Sequence, residues 1–129
     1  MNTDERRVEL NRITERVLGC AYNVSTTLGS GFLEKVYENA LAHELGRQGL
    51  KAEQQAPTQV LYDGAVVGEY VAAIVVDGAV LVELKAVKAL DEVHKAQCIN
   101  YLKATGRTVC LLLNFGVPSL EVKRIVYNF

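Results

Sequence analysis

Two Asp-Gly pairs, Asp63-Gly64 and Asp77-Gly78, bracket the nearly unbroken apolar run from Val66 to Val76. No other feature narrows the fold as much. Asp-Gly beside apolar runs is a strong hairpin signal, because tight hairpin turns need residues that tolerate positive φ. The pattern predicts successive strands at Gln59 to Tyr62, Val66 to Val76 and Ala79 to Val87. Upstream, Ala52 to Gln59 is polar and reads as extended, with Pro57 marking an edge or a strand start.

Before Lys51 the period is different. Leu10, Ile13, Val17, Ala21, Val24 and Leu28 recur every three or four residues, which predicts a long amphipathic helix capped by Thr3 or Asp4. Gly29-Ser30-Gly31 ends it, with Ser30 placed to cap a second helix. That helix carries Leu33, Val36, Tyr37, Ala40, Leu41 and Leu45 on one face and ends near Gly46 or Gly49. Beyond the strands, Asp91 or Glu92 opens a third helix through Lys103, broken at Gly106. Thr108 to Leu113 reads as a buried strand and Leu120 to Tyr127 as a final alternating one. The order ααβββαββ describes an α/β domain with a mixed central β-sheet flanked by helices. No linker, repeat or low-complexity segment divides the chain, so residues 1–129 are expected to form a single domain.

Composition excludes some functions. A net charge of −1 rules out a basic nucleic-acid carpet, so any phosphate contact must come from a local cluster. The three cysteines, Cys20, Cys98 and Cys110, lack zinc-site spacing and sit in apolar surroundings, which predicts buried reduced thiols. The polar, acidic start Met1-Asn2-Thr3-Asp4-Glu5 is unlike a signal or transit peptide, and no apolar run approaches a membrane span. A cytoplasmic location and no membrane partner are expected.

Within the third strand, Val80-Leu81-Val82-Glu83-Leu84-Lys85-Ala86-Val87 combines opposite charges with apolar residues. Strand alternation projects Glu83 and Lys85 together while Leu84 points away. Such charges are costly to bury unless they pair, meet water or hold an ion. A strand end reaching solvent is one solution, and a metal-and-lysine site for phosphodiester hydrolysis is another.

The rest of the chain resembles a known family. Gly31-Phe32-Leu33-Glu34-Lys35-Val36-Tyr37 is similar to the signature of the GxxExxY proteins, a branch of the PD-(D/E)XK nuclease superfamily. Val82-Glu83-Leu84-Lys85 resembles the superfamily's ExK element, and Gln97-Cys98-Ile99-Asn100-Tyr101 its QxxxY element. The resemblance runs from the first helix to Leu113-Asn114-Phe115-Gly116 and implies a restriction-endonuclease-like core. It also implies Mg²⁺-dependent cleavage of DNA or RNA, with Mn²⁺ as a substitute. Glu83, the backbone carbonyl of Leu84, and Glu34 would be metal ligands. Hard cations take oxygen donors and retain waters, so few protein ligands suffice. Lys85 would orient or help deprotonate the attacking water, or stabilise developing negative charge.

Each residue also has a plainer explanation. Glu34 suits a helix N-terminus for dipole reasons alone. Gln97 and Tyr101 share a helix face that fits backbone contact with nucleic acid, or packing. His94 is a surface histidine or a phosphate contact. Tyr37 reads as a core residue whose hydroxyl finds a polar partner. Lys88, Lys95, Lys103 and Arg107 tilt the third-helix region basic, as a solvated face or as part of a phosphate-binding side.

The family pattern also calls for an aspartate on the strand before ExK, and its place is taken by Ala73. Positions 73 and 83 oppose each other only if the hairpin loop is the three-residue Asp77-Gly78-Ala79. That loop is therefore expected. Glu69 and Asp77 lie about 13 Å away along the strand and cannot substitute. Losing this ligand should weaken Mg²⁺ binding and leave the chain catalytically crippled. The remaining motif residues are intact, which favours a change at this one position over long release from catalysis. The competing functions are a non-catalytic nucleic-acid-binding module and a protein-interaction domain, the latter marked by Glu83 and Lys85 closed into an internal ion pair. Apolar Ile125 to Phe129 offers an edge for a homodimer.

Overall fold

The computed structural model describes residues 2–129. Eight elements follow in order: α1 (Thr3–Leu28), α2 (Glu34–Arg47), β1 (Ala52–Tyr62), β2 (Ala65–Val76), β3 (Val80–Lys85), α3 (Glu92–Thr105), β4 (Val109–Asn114) and β5 (Glu121–Val126). The expected ααβββαββ order holds. The five strands form one sheet in the order β1-β2-β3-β4-β5, antiparallel except for the β3–β4 pair. Parallel neighbours need a crossover, and α3 supplies it.

Alternation along the central strands divides the core. Val80, Val82 and Leu84 of β3, with Val109, Leu111 and Leu113 of β4, pack toward α1 and α2 against Leu10, Ile13, Val17, Leu41 and Leu45. Leu81, Cys110 and Leu112 face the other way, against Cys98 and Leu102 of α3. The sheet is thus covered on both sides, as continuous apolar strands require. All three cysteines are free and buried, and burial raises the pKa of Cys20, while a hydrogen bond with Cys98 and burial push that of Cys110 well up. No helix among the described residues is long and apolar enough to cross a membrane.

Several boundaries moved for identifiable reasons. Asn2, not Thr3 or Asp4, caps α1, its side-chain oxygen accepting the Glu5 N–H. Ser30 caps nothing: α2 starts after Leu33 with no side-chain cap. The Gly29–Phe32 turn is instead held by Tyr37, whose hydroxyl donates to the Gly29 carbonyl at 2.6 Å and accepts the Phe32 N–H at 3.1 Å. The short strand at 59–62 is the end of a continuous β1, because pairing with long β2 carries the polar residues along as an edge. β3 stops at Lys85, two residues early, because Phe115 N–H takes the Lys85 carbonyl and Asn114 clamps Val87.

Both predicted hairpins form. Asp63 and Gly64, at φ 52° and 77°, make a two-residue turn between the paired Tyr62 and Ala65. Val76 pairs with Val80, so the second loop is Asp77-Gly78-Ala79, the longer one expected, and Ile74 pairs with Val82. Position 73 therefore stands opposite Glu83. β5 is an edge strand, but the residues after Val126 fold back over α1, where Arg7 Nε donates to the Phe129 carbonyl at 2.8 Å.

Candidate functional site

The sheet is disturbed along one row. The β2–β3 ladder ends at Ile74–Val82, one residue short of Ala73 and Glu83. On the other side of β2, β1 pairs at Gln54–Ile74 and resumes at Ala56–Ala72, leaving Gln55 out at φ 54°. A left-handed non-glycine residue inside a strand is uncommon and re-aims its side chain. Gln55 uses it to donate from Nε2 to Glu38 Oε1 at 2.8 Å. At Ala73 the sheet opens on both sides.

Glu83 fills the opening toward β3. Only 9% exposed, its Oε1 accepts the Ala73 backbone N–H at 3.2 Å. The carboxylate thus stands where a ladder partner would. Burial pushes its pKa up to about 7, with Glu34 and Glu38 adding to the rise. The Ala73 N–H and Lys85 oppose it without overcoming the loss of water. The solvent-reaching strand end is excluded for Glu83. Lys85, half-buried at the end of β3, makes no ion pair among the described residues, so the closed Glu83–Lys85 bridge is also excluded. Leu84 buries its side chain toward α1 and α2 while its backbone is laddered to Leu113 beside the site.

The Tyr37 anchor positions the start of α2. The ring stacks on Phe115 at 4.8 Å, tying the Gly29–Phe32 turn to the residue that caps β3. Glu34 follows that turn as the first residue of α2, exposed and within electrostatic reach of Glu83. One turn on is a residue that motif reading missed. Glu38 is 5% exposed and accepts from Lys35 Nζ at 2.9 Å, Gln54 Nε2 at 2.7 Å and Gln55 Nε2 at 2.8 Å. Its spacing of four from Glu34 was the available signal, since such residues share a helix face. Its burial, and the glutamines that hold it, were not visible locally.

From the opposite side comes Tyr101 of α3. Its ring meets Tyr70 edge-on at 4.5 Å, and burial, followed by the Glu83 charge, pushes its pKa up to about 12, so the phenol keeps its proton as a donor. Gln97, one turn earlier, is exposed. His94 is occupied structurally: its Nδ1 accepts the Asp91 N–H at 3.2 Å, completing a capping box in which Asp91 accepts the Val93 and His94 N–H groups. Of the basic residues, Lys95 pairs with Glu92, Lys103 sits over the Tyr127 ring and Arg107 donates to the Gly78 carbonyl. Lys88 is exposed.

The donor set does not fit a resident divalent ion. Position 73 offers a methyl group and a backbone N–H, and neither donates a lone pair to a cation. Among the described residues no three His, Cys, Asp or Glu side chains converge as metal ligands. What remains is a nearly buried carboxyl poised to titrate near neutrality, an unpaired lysine and a phenol donor.

In comparisons with known proteins, a family model described as the PD-(D/E)XK nuclease superfamily matches residues 11–125. No curated protein and no solved structure matches the chain. Nucleases of that superfamily generally use divalent metal ions, and their substrates are nucleic acids. The family match spans β1 to β4, nearly all of β5, and the row of Glu83, Ala73 and Gln55 in the sheet, and this chain belongs to the PD-(D/E)XK nuclease superfamily.

Proposed function

We propose that this is a cytoplasmic nuclease-type domain of the GxxExxY branch, built to hydrolyse phosphodiester bonds of DNA or RNA with Mg²⁺ and inactive because of Ala73. The observation that carries the reading is the 3.2 Å hydrogen bond from the Ala73 N–H to Glu83. It puts the residue 73 backbone against the one buried carboxylate of the central strands, where an acidic side chain would stand beside it. A divalent ion in such a site would neutralise phosphate charge and acidify an attacking water. With a methyl group at 73 no step is assigned to it.

The chain's own groups have definable parts. Lys85 offers an uncommitted positive charge to a phosphate oxygen, and Tyr101 a proton for a hydrogen bond. Glu34 and Glu38 bring carboxylates from α2 toward Glu83, and Gln97 extends the α3 face past Tyr101. The same parts support a module that binds nucleic acid without cutting it.

Restoring the acid tests the reading. The Ala73→Asp variant should cleave a labelled oligonucleotide in Mg²⁺ or Mn²⁺ at a rate at least about 100-fold above this chain, in line with loss of a group essential to charge stabilisation. It should also bind Mn²⁺ by calorimetry where this chain does not. No gain in either measurement sinks the nuclease reading, and salt-sensitive binding that survives Glu83→Gln would then leave the binding module.

A further inference from the structure

Beyond the Glu83 row, a groove of about 400 Å³ lies between the β1–β2 hairpin and α3. It is lined by Gln59, Val60, Leu61, Tyr70, Asn100 and Lys103, among others. The size falls in the range of about 300–1,000 Å³ typical of small-molecule subsites. Its chemistry is mixed in a particular way. Val60, Leu61 and the Tyr70 ring give apolar and aromatic surface, while Gln59 and Asn100 enter from opposite walls with amides that have no hydrogen-bond partner among the described residues. Each amide presents a donor and an acceptor, the complement of a nucleobase edge. Lys103 stands on the α3 wall, its ammonium 5.6 Å from the Tyr127 ring centre.

The groove is joined to the site. Tyr70 lines it and also touches Tyr101, which lies in the field of Glu83. Glu69 pairs with Gln59 across the hairpin, which disfavours a phosphate on that wall and leaves Lys103 as the phosphate side. We propose that this groove receives one unpaired nucleobase of a single-stranded or frayed nucleic acid, with Gln59 and Asn100 on its edge, Tyr70 against its face and Lys103 on the neighbouring phosphate. A base can enter a concave pocket only after leaving the duplex stack, so the groove selects single strands. This assignment rests on the nuclease-type reading and specifies its substrate.

The test uses the chain as it stands, in fluorescence anisotropy with a labelled mixed-sequence strand of about ten nucleotides, within the range of single-strand site sizes. The same strand annealed to its complement is the comparison. The single strand should bind at least about tenfold more tightly, the weight of one stacked base. Asn100→Ala and Gln59→Ala, both at exposed positions, should each weaken single-strand binding about fivefold, as expected for one hydrogen-bonding amide, and leave duplex binding unchanged. Equal affinity for duplex and single strand, or indifference to both substitutions, overturns the pocket. So does the absence of binding to either form. The nuclease reading is judged separately, by the cleavage and Mn²⁺ binding of Ala73→Asp.

Discussion

Two buried polar residues of the neighbouring strands β3 and β4 have opposite situations. Asn114 is fully buried, and its side chain is completely engaged. Its Oδ1 accepts the Val87 N–H at 3.0 Å and the Gly116 N–H at 2.9 Å, and its Nδ2 donates to the Val87 carbonyl at 3.0 Å and to Glu121 Oε1 at 3.1 Å. Gly116 completes the clamp, because a Cβ there would fall 2.4 Å from Val87 backbone atoms. Glu83 has a single hydrogen-bond donor among the described residues, and its carboxyl is pushed up to a pKa of about 7. A buried amide with every valence met stabilises the fold, whereas a buried carboxyl with one partner costs free energy and marks a candidate functional site. The contrast separates satisfied from unsatisfied buried polarity within two adjacent strands.

The largest expected effect comes from breaking the satisfied side. Asn114→Ala should destabilise the domain by about 4 kcal/mol, since it empties a fully buried site and leaves the half-buried Val87 and Gly116 N–H groups without their acceptor. Urea titration measures it, and a loss under about 1 kcal/mol would show that the clamp does not hold this end of the sheet.

Next comes the pH response of the unsatisfied side. The Glu83 pKa is raised from 4.5 to about 7, so the folded state holds the proton more tightly than the unfolded chain. Its contribution is fully present below pH 4.5 and is lost as pH rises through about 7. The loss should total roughly 3 kcal/mol at most. Glu83→Gln should flatten the difference in urea midpoint between the two ends of that window. A variant that keeps the full slope would assign the titration to another group.

Removing the Tyr37 hydroxyl gives a smaller effect. Tyr37→Phe should cost about 1–2 kcal/mol by leaving the Gly29 carbonyl and the Phe32 N–H without their partner. In an Ala73→Asp background it should also weaken Mn²⁺ affinity if the anchored turn positions Glu34. Unchanged affinity would remove Glu34 from the site. The smallest effect is expected at His94, where His94→Ala should cost about 1 kcal/mol as a capping residue. Weakened nucleic-acid binding at unchanged stability would instead restore its phosphate-contact role.

The part of the site legible in the sequence was the part set by counting. Once the family resemblance marks position 73, a period of two and a three-residue loop place it opposite Glu83, and the Gly29-Ser30-Gly31 break sets Glu34 in the first turn of a helix. The carboxylate of Glu38 was overlooked because nothing in its neighbourhood signals burial; Gln54 and Gln55, which hold it, come from another element. Tyr70 stayed unremarked for the same reason, since its partner Tyr101 is on α3. Ser30 illustrates the reverse error: a good capping residue in sequence caps nothing, while the turn it sits in is held by the Tyr37 hydroxyl.

Apolar periodicity and the two Asp-Gly turns determined the element order and the two hairpins, which depend on local geometry that each residue carries with it. The longer second loop and the missing acid at position 73 came only from the resemblance to the PD-(D/E)XK pattern. Tertiary structure alone decided that β1 flips at Gln55, that β3 ends at Lys85 under the Asn114 clamp, and that Glu83 is nearly dry and bonded to the Ala73 N–H. Those outcomes depend on which strands lie side by side and on how far water is excluded between them. Burial and long-range pairing are properties of the packed sheet, and no single stretch of the chain encodes them.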